Sequence, residues 1–578
     1  SSFIFGSTGT GDAMLTINGS SIPVAPDGTW LAWVPFRGDS VIRFEIEART
    51  PLDSARLRWP VRRYGRGFTA PDSGVWIDTT SFRPAGRVWW PADEALPISV
   101  AASEGAALTL ILPDGERLPL RGATAPRSVS EGVRAFSLDT AALGGTARET
   151  RYRAVLRGRA IGRSLGAVLA PDSGAPAAPV RRAVVEAVRG ADTARAEWPL
   201  ALSLLQGPTP TAELDDDLLR RGNTDGITVG RATPEATYHW FFPAGTRAAV
   251  TARVNGVLRL GVSAGAAAWV AAAEAREAEP GSGPATIGSV WTRPSGDRVV
   301  VRIPVGERRP FQVSEEEREI RLLIYGAVSD INWTRYGADD SLVRVVSWSQ
   351  VRADEVELRF LLSQPVWGFR TRWEGTDLLL EIRRPPAIDV RSPLAGRTIV
   401  LDPGHPPAGA TGVSGLSEAE ANLGVAEALR PLLEQEGARV LMTRSGGEPL
   451  DLWPRVRFAD SVDADALVSI HNNALPDGVN PFTSNGSSVF YNHPRAIPLA
   501  RAIQRRLVAW LGTRDLGISR GDLALTRPTW MPAVLTEGLF MMVPEQEAAL
   551  RSEQGRGQYA RAVLEGLREF FRSRAGSR

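Results

Sequence analysis

The chain has 578 residues, 43% hydrophobic and 23% charged, a globular composition too long for one hydrophobic core, so several domains are expected. No apolar run approaches the roughly 18 to 20 residues of a membrane-spanning helix, so the chain is expected to be soluble, with no transmembrane segment. All 67 basic residues are arginine and alternate with 65 acids along the whole length, whereas nucleic-acid binders gather basic residues on one face, so nucleic acid is not an expected partner.

The absence of cysteine excludes disulfides, thiolate metal sites and cysteine nucleophiles, leaving histidine and carboxylate as the strong ligands for a zinc-type ion. The start, SSFIFGSTG, has neither a charged start nor an apolar signal core. It fits a cytoplasmic protein, a mature form or a trimmed chain.

In residues 1–50, LTINGSSIPVAPDGTWLAWVPFRGDSVIRFEIEA carries Asn18-Gly19 and Asp27-Gly28 between alternating apolar stretches, a hairpin pattern. It resembles the small immunoglobulin-like modules of bacterial envelope enzymes; another small β-sandwich fits as well. Residues 51–189 stay β-rich, as in ALPISVAASEGAALTLILPDGERLPL, with turn and proline signals too frequent to assign a fold. LAPDSGAPAAPVRR, from Leu169 to Arg182, reads as an exposed loop.

Residues 190–286 hold short strands separated by Gly, Asn-Gly and Ala-Gly turns, which predicts a small β-barrel resembling the bacterial SH3-like barrels of cell-wall enzymes. His239 lies in an aromatic run with Tyr238, Trp240, Phe241 and Phe242 and reads as a strand residue, not a ligand. Arg276 to Ala285 reads as a linker.

Residues 287–386 contain an internal echo. VVVRIPVGERRPFQVSEEEREIRLLIYG and VELRFLLSQPVWGFRTRWEGTDLLLEIR are offset by 57 positions, so Arg302 matches Arg359 and Leu322-Leu323 match Leu379-Leu380. A duplicated three-strand unit would produce this. The segment resembles the AMIN domain, a two-sheet module that attaches amidases to the envelope or septal wall.

A Pro-rich hinge from Arg383 to Gly396 precedes a change of pattern, in which apolar strands alternate with helices: strand 398–401, helix 418–436, strand 439–443, a short helix near Val456, strand 466–470, strand 488–491, a helix with Leu499, Ile503, Leu507 and Trp510 on one face, strand 533–536, and a last helix. The fold class is therefore multidomain, with N-terminal all-β modules followed by a C-terminal α/β domain (396–578) around a largely parallel sheet. Pro431 should kink the helix that contains it.

Ligands of open α/β sheets bind outside the carboxyl ends of the strands. His405 after TIVLDPG, His471 after DALVSI and Glu537 after AVLT all sit there, so three residues more than 130 positions apart should converge. The helix after the first strand offers Glu418 and Glu420, which point about 200 degrees apart on a helix. Ser417 and Glu420 have the spacing of a capping box, which leaves Glu418 free to face the strand edge. Two imidazoles and a carboxylate match a His₂Glu set that holds catalytic zinc with one position open, and a second, unligated carboxylate must then move the proton. Glu537, followed by apolar residues, fits that role.

Asp402 reads as orienting the loop or His405. Asn472 and Asn473 bond substrate or shape the turn, and Arg444, Arg455 and Arg527 hold substrate carboxylates or pair internally. Asn473 and Arg527 are the candidate substrate-binding residues. His493 in YNHPRA reads as exposed.

TIVLDPGH, SGLSEAEANLGVA, VLMTR, DALVSIHNNA and MPAVLTEGLF occur in the order and spacing of the zinc-dependent N-acetylmuramoyl-L-alanine amidases. The resemblance spans about 396–571. It implies Zn²⁺ on His405, Glu418 and His471, catalysis by Glu537, peptidoglycan as substrate, a periplasmic or envelope location, and envelope or divisome protein partners for the β domains. The chain departs from the family at Pro406-Pro407, where Gly-Gly is usual, and at Leu539 and Met541-Met542. Some members carry a helix that blocks the zinc between the strand after the second histidine and the strand before the glutamate; the spacing from Tyr491 to Leu523 leaves room for one ordinary helix, so no plug is expected. Two other classes stay open: a zinc peptidase on stem peptides, and a non-catalytic wall-binding protein.

Overall fold

The computed structural model describes residues 2–34, 41–62, 71, 73–112, 115–126, 148–157, 183–205, 209–219, 226–281, 283–338 and 340–575. The loop expected from Leu169 to Arg182 lies outside them. Among the described residues no helix is long and apolar enough to cross a membrane.

The region before residue 396 is built of strands. Its first unit pairs Ser2–Ser7 with Thr29–Val34 and stacks a second sheet containing Met14–Ile17 and Val41–Arg49 around Leu15, Ile17, Trp30 and Phe44. The division expected at residue 50 falls inside a hairpin, because Val41–Arg49 pairs antiparallel with Ser54–Arg62. The division expected at 189 does the same, between Val184–Arg189 and Asp192–Glu197. Beyond it, Leu200–Leu205 runs parallel to Gly86–Pro91, which in turn pairs with Arg247–Val254. The strands of 211–278 thus share one sheet with an earlier segment.

The internal echo has a structural counterpart of four strands, not three. Val290–Ser295, Arg298–Pro304, Phe311–Glu315 and Glu319–Tyr325 recur as Val343–Arg352, Glu355–Leu362, Gly368–Glu374 and Asp377–Arg383. Each copy gives two strands to each sheet: Arg298–Pro304 pairs with Asp377–Arg383, and Glu319–Tyr325 pairs with Glu355–Leu362. Alternating residues such as Val299, Val301, Ile320, Leu322, Leu358 and Leu380 close a shared core between the sheets.

The C-terminal domain is a six-stranded sheet with helices. Thr398–Pro403, Arg439–Met442, Ala466–Asn473 and Ala533–Phe540 pair in parallel; the three central strands read as near-continuous apolar runs buried on both faces, while Arg439–Met442 lies at the sheet edge and is only partly buried. Ser487–Tyr491 joins antiparallel to Ala533–Phe540, so the sheet is mixed. A strand absent from the sequence reading, Asp515–Arg520, adds in parallel at the edge. Its exposed residues and Gly517 give it little apolar signal. Between Tyr491 and Ala533 the described elements are a 3-10 turn, the helix Ile497–Leu511, that strand and a second 3-10 turn. The Glu418–Gln435 helix runs on through Pro431. It and Glu553–Arg574 cover one face through Val425, Leu429, Tyr559, Val563 and Phe570.

Candidate metal centre and active site

Register brings the site together. Pro403 pairs with Ile470 and His471 pairs with Glu537, so the chain leaving the first strand reaches the edge where the other two residues stand. Paired positions of neighbouring strands share a face, which puts the His471 and Glu537 side chains side by side. His471 and Glu537 lie within strands that run on to Asn473 and Phe540, three and four residues further than the apolar runs alone indicate. Gly404 lets His405 approach, because a Cβ there would collide with the His471 imidazole.

The Glu418–Gln435 helix supplies the third donor. Ser417 caps it by accepting a hydrogen bond from the Glu420 amide at 3.2 Å. Glu420 faces solvent while Glu418 is buried. Glu418 Oε2 lies 3.2 Å from His405 Nε2 and Oε1 lies 3.1 Å from His471 Nδ1. The two imidazoles meet edge to face with centroids 4.9 Å apart. His405 Nδ1 donates to the Pro407 carbonyl at 3.1 Å, which turns Nε2 toward the cluster. Backbone amides of Ala410 and Asn472 also donate to Glu418. Burial works against ionisation of this carboxyl, but the bonds from His405 and His471 prevail and hold it far below the ordinary carboxylate range.

Donor atoms of His405, Glu418 and His471 all lie within 4.8 Å of one another. One other such group exists among the described residues, Asp215, Asp216 and Asp217, and it has carboxylates only. Glu537 stands beside the triad with a different character. Burial, reinforced by the negative charge of Glu418, pushes its carboxyl well above the ordinary value. Its Oε2 has no hydrogen-bond partner. A mixed nitrogen and oxygen donor set next to an unpartnered carboxylate oxygen fits a divalent cation and a water.

Behind the donors lies a polar frame that sequence reasoning placed only in part. Asp402 accepts from Arg455 Nη1 at 3.0 Å, from Thr443 Oγ1 at 2.6 Å and from Ser469 Oγ at 2.6 Å. Arg455 donates onward to the carbonyls of Pro403, His405 and Pro406. Asp402 therefore orients the His405 loop through Arg455. Arg444 is likewise buried and donates to the Pro403, Gly404 and Ala419 carbonyls. Neither arginine is available to a substrate carboxylate; both staple a backbone in which His405 has φ of +59°.

Asn472 shapes the turn: it donates to Asn422 at 2.9 Å and accepts from the Leu539 amide at 3.1 Å. The Asn473 carboxamide oxygen accepts from the Ala474 amide at 2.8 Å. Arg527 bonds Asp522 and lies over the rings of Tyr238, Phe241 and Trp453, at 4.7, 4.7 and 5.7 Å. His493 is half-buried, not exposed, and its Nε2 meets the Arg527 carbonyl at 2.8 Å. Burial pushes that imidazole down to about 3, so it is neutral. His239 is an exposed strand residue against Trp240.

Three residues of this frame escaped sequence reasoning. Asn422 bonds the Gly404 carbonyl and Glu418, and its one signal is a spacing of four from Glu418, one helical turn on the same face. Tyr559 bonds Thr536 and the His471 carbonyl. Glu547, fully buried, accepts from the Ser414 amide and hydroxyl and from the Leu416 amide, which fixes the loop entering the Glu418 helix.

Residues 399–569 match the family described as N-acetylmuramoyl-L-alanine amidase. The N-acetylmuramoyl-L-alanine amidase LytC of Bacillus subtilis is 34% identical over 192 residues, which are 32% of this chain and 38% of LytC. YqiI of the same organism, an uncharacterised protein, is 32% identical over 209 residues, 35% of this chain and 98% of YqiI. Among solved structures, the catalytic domain of CwlV, an N-acetylmuramoyl-L-alanine amidase from Bacillus (Paenibacillus) polymyxa, is 30% identical, with 29% of this chain and 95% of that chain covered and a TM-score of 0.28. The chain thus spans well under half the length of LytC and nearly all of YqiI.

Proposed function

The chain belongs to the N-acetylmuramoyl-L-alanine amidase family, and from that premise we propose that it hydrolyses the amide joining N-acetylmuramic acid to the L-alanine of the peptidoglycan stem peptide. The observation that carries this reading is the convergence of His405, Glu418 and His471 at one sheet edge with Glu537 beside them and unpartnered. His405, Glu418 and His471 would hold a zinc ion, through two imidazoles and one carboxylate. Bound there, the ion supplies a Lewis acid that polarises the scissile carbonyl and lowers the pKa of water toward about 7.

The residues of the chain do the rest. Glu537 Oε2 takes the proton of the attacking water and returns it to the leaving amine nitrogen. Its raised affinity for a proton suits the second half of that task, and a cation nearby lowers the affinity enough for the first. Asp402, Arg455 and Arg444 keep the His405 loop fixed, and Asn422 keeps Glu418 aimed at the imidazoles. Asn473 and Arg527 remain the proposed substrate contacts, with Asn473 the nearer in sequence to His471.

The duplicated two-sheet unit of 290–383 supports an AMIN-like role for that module, and a peptidoglycan substrate supports a periplasmic or envelope location. The test is Glu537→Gln in the full chain. It is expected to keep one zinc per chain by elemental analysis and to lose about 10²- to 10⁴-fold in release of soluble fragments from purified sacculi. Parental turnover would remove Glu537 as the base.

A further inference from the structure

The N-terminal sandwich and the catalytic centre are far apart in sequence and adjacent in space. In the strand Ser2–Ser7 successive side chains point to opposite faces. Ile4 turns into the sandwich's own core, while Phe3 and Phe5 turn outward, stacked with centroids 6.3 Å apart. They pack on Leu475, Val479, Phe540 and Met542 of the catalytic domain. Leu475 and Val479 follow the strand that carries His471, and Phe540 and Met542 follow Glu537. In the turn before Thr29, Asp27 accepts a hydrogen bond from Arg551 at 2.7 Å.

Arg551 ends the helix Pro544–Arg551. Phe540 and Met542 lead into that helix, and Glu547 in its middle grips Ser414 and Leu416, two to four residues before Glu418. The approach to this helix and its last residue therefore both touch the N-terminal sandwich, and its centre fixes the loop that delivers a donor.

We propose that the N-terminal sandwich braces the catalytic centre: seated through Phe3, Phe5 and Asp27, it holds the Pro544–Arg551 helix and through Glu547 positions Glu418. Phe3, Phe5 and Arg551 are positioning residues, an inference that rests on the hydrolytic reading for its consequence in turnover but not for its structural readouts. The Asp27–Arg551 pair is partly exposed, so the apolar contact carries most of the seating.

The experiment compares full-length, zinc-loaded parent with Phe3→Ser/Phe5→Ser and, separately, Arg551→Glu. Amide hydrogen exchange is followed in residues 411–418, 474–479 and 539–543, and zinc release is followed with a chelating dye. The double variant is expected to deprotect all three segments and to speed zinc release about tenfold, the size of effect that loss of an outer-shell support has on metal sites. Arg551→Glu should move the same readouts in the same direction by less. Faster exchange at 474–479 and 539–543 with parental exchange at 411–418 and parental zinc release would overturn the brace. Parental exchange in all three segments would overturn the docking itself. If Val41–Arg49 also loses protection in the double variant, the sandwich has unfolded and Arg551→Glu decides by the same criteria. A chain that braces as described but releases no stem peptide leaves this inference standing and removes the proposed reaction instead.

Discussion

At the scale of single residues, environment decides what each carboxylate does. Glu418 and Glu537 are close enough to interact, yet the two imidazoles hold one ionised while burial and its neighbour's charge raise the other's affinity for a proton. Asp460 shows the same physics without a catalytic partner. Burial raises its carboxyl from 3.8 to about 6, opposed by Arg370, and its Oδ1 has no hydrogen-bond partner. A group raised in the folded state stabilises fully below its unfolded value, and that contribution is lost as pH rises through the folded one. Asp460→Asn should therefore be more stable than the parent by about 1 to 3 kcal/mol at about pH 8, with the difference vanishing near pH 4. Thermal melts at the two pH values check this, and equal effects at both would contradict it. The sequence made Glu418 legible because Ser417 and Glu420 mark a helix start. It left Glu547 and Tyr559 illegible, since a buried acid 129 positions after Glu418 has no local pattern to announce it.

At the scale of elements, the buried parallel strands were legible from their apolar runs and the edge strand Asp515–Arg520 was not. The repeat in 290–383 was legible as a 57-residue offset, but the exchange of strands between its sheets was not, because pairing partners are nonlocal. Those sheets are joined to the catalytic domain by close packing. Arg383 donates to the Asp463 carbonyl at 3.0 Å and pairs with Asp465 at 2.9 Å. Arg370 and Arg298 lie over the Trp530 ring at 3.8 and 4.8 Å. Arg495 and Glu315 form a fully buried pair across the same boundary at 2.9 Å. A Cβ at Gly368 would collide with the Trp530 carbonyl. Gly368→Ala should therefore force the interface apart at a cost of about 1 to 3 kcal/mol, the usual penalty of overpacking. Its thermal transition should fall well below the parent's, and an unchanged transition would show that the interface yields freely.

At the scale of the whole molecule, the modules form a connected framework around one reactive edge. The Pro-rich segment 383–396 reads as a hinge in sequence, yet Arg383 is anchored in the catalytic domain and Leu394 is buried in its core. Arg527, proposed as a substrate contact, also lies over Tyr238 and Phe241 of the strand Tyr238–Pro243, so the residue ties two modules together as well. With the duplicated unit on one side and the N-terminal sandwich on another, the catalytic edge is held in a fixed relation to both. Which bond is cut decides the function. Digestion of purified sacculi by the zinc-loaded full chain, with the released fragments identified by mass, reads this out: intact stem peptides beginning with free L-alanine are predicted, and shortened stem peptides, or no release, would rule out cleavage of the amide to N-acetylmuramic acid.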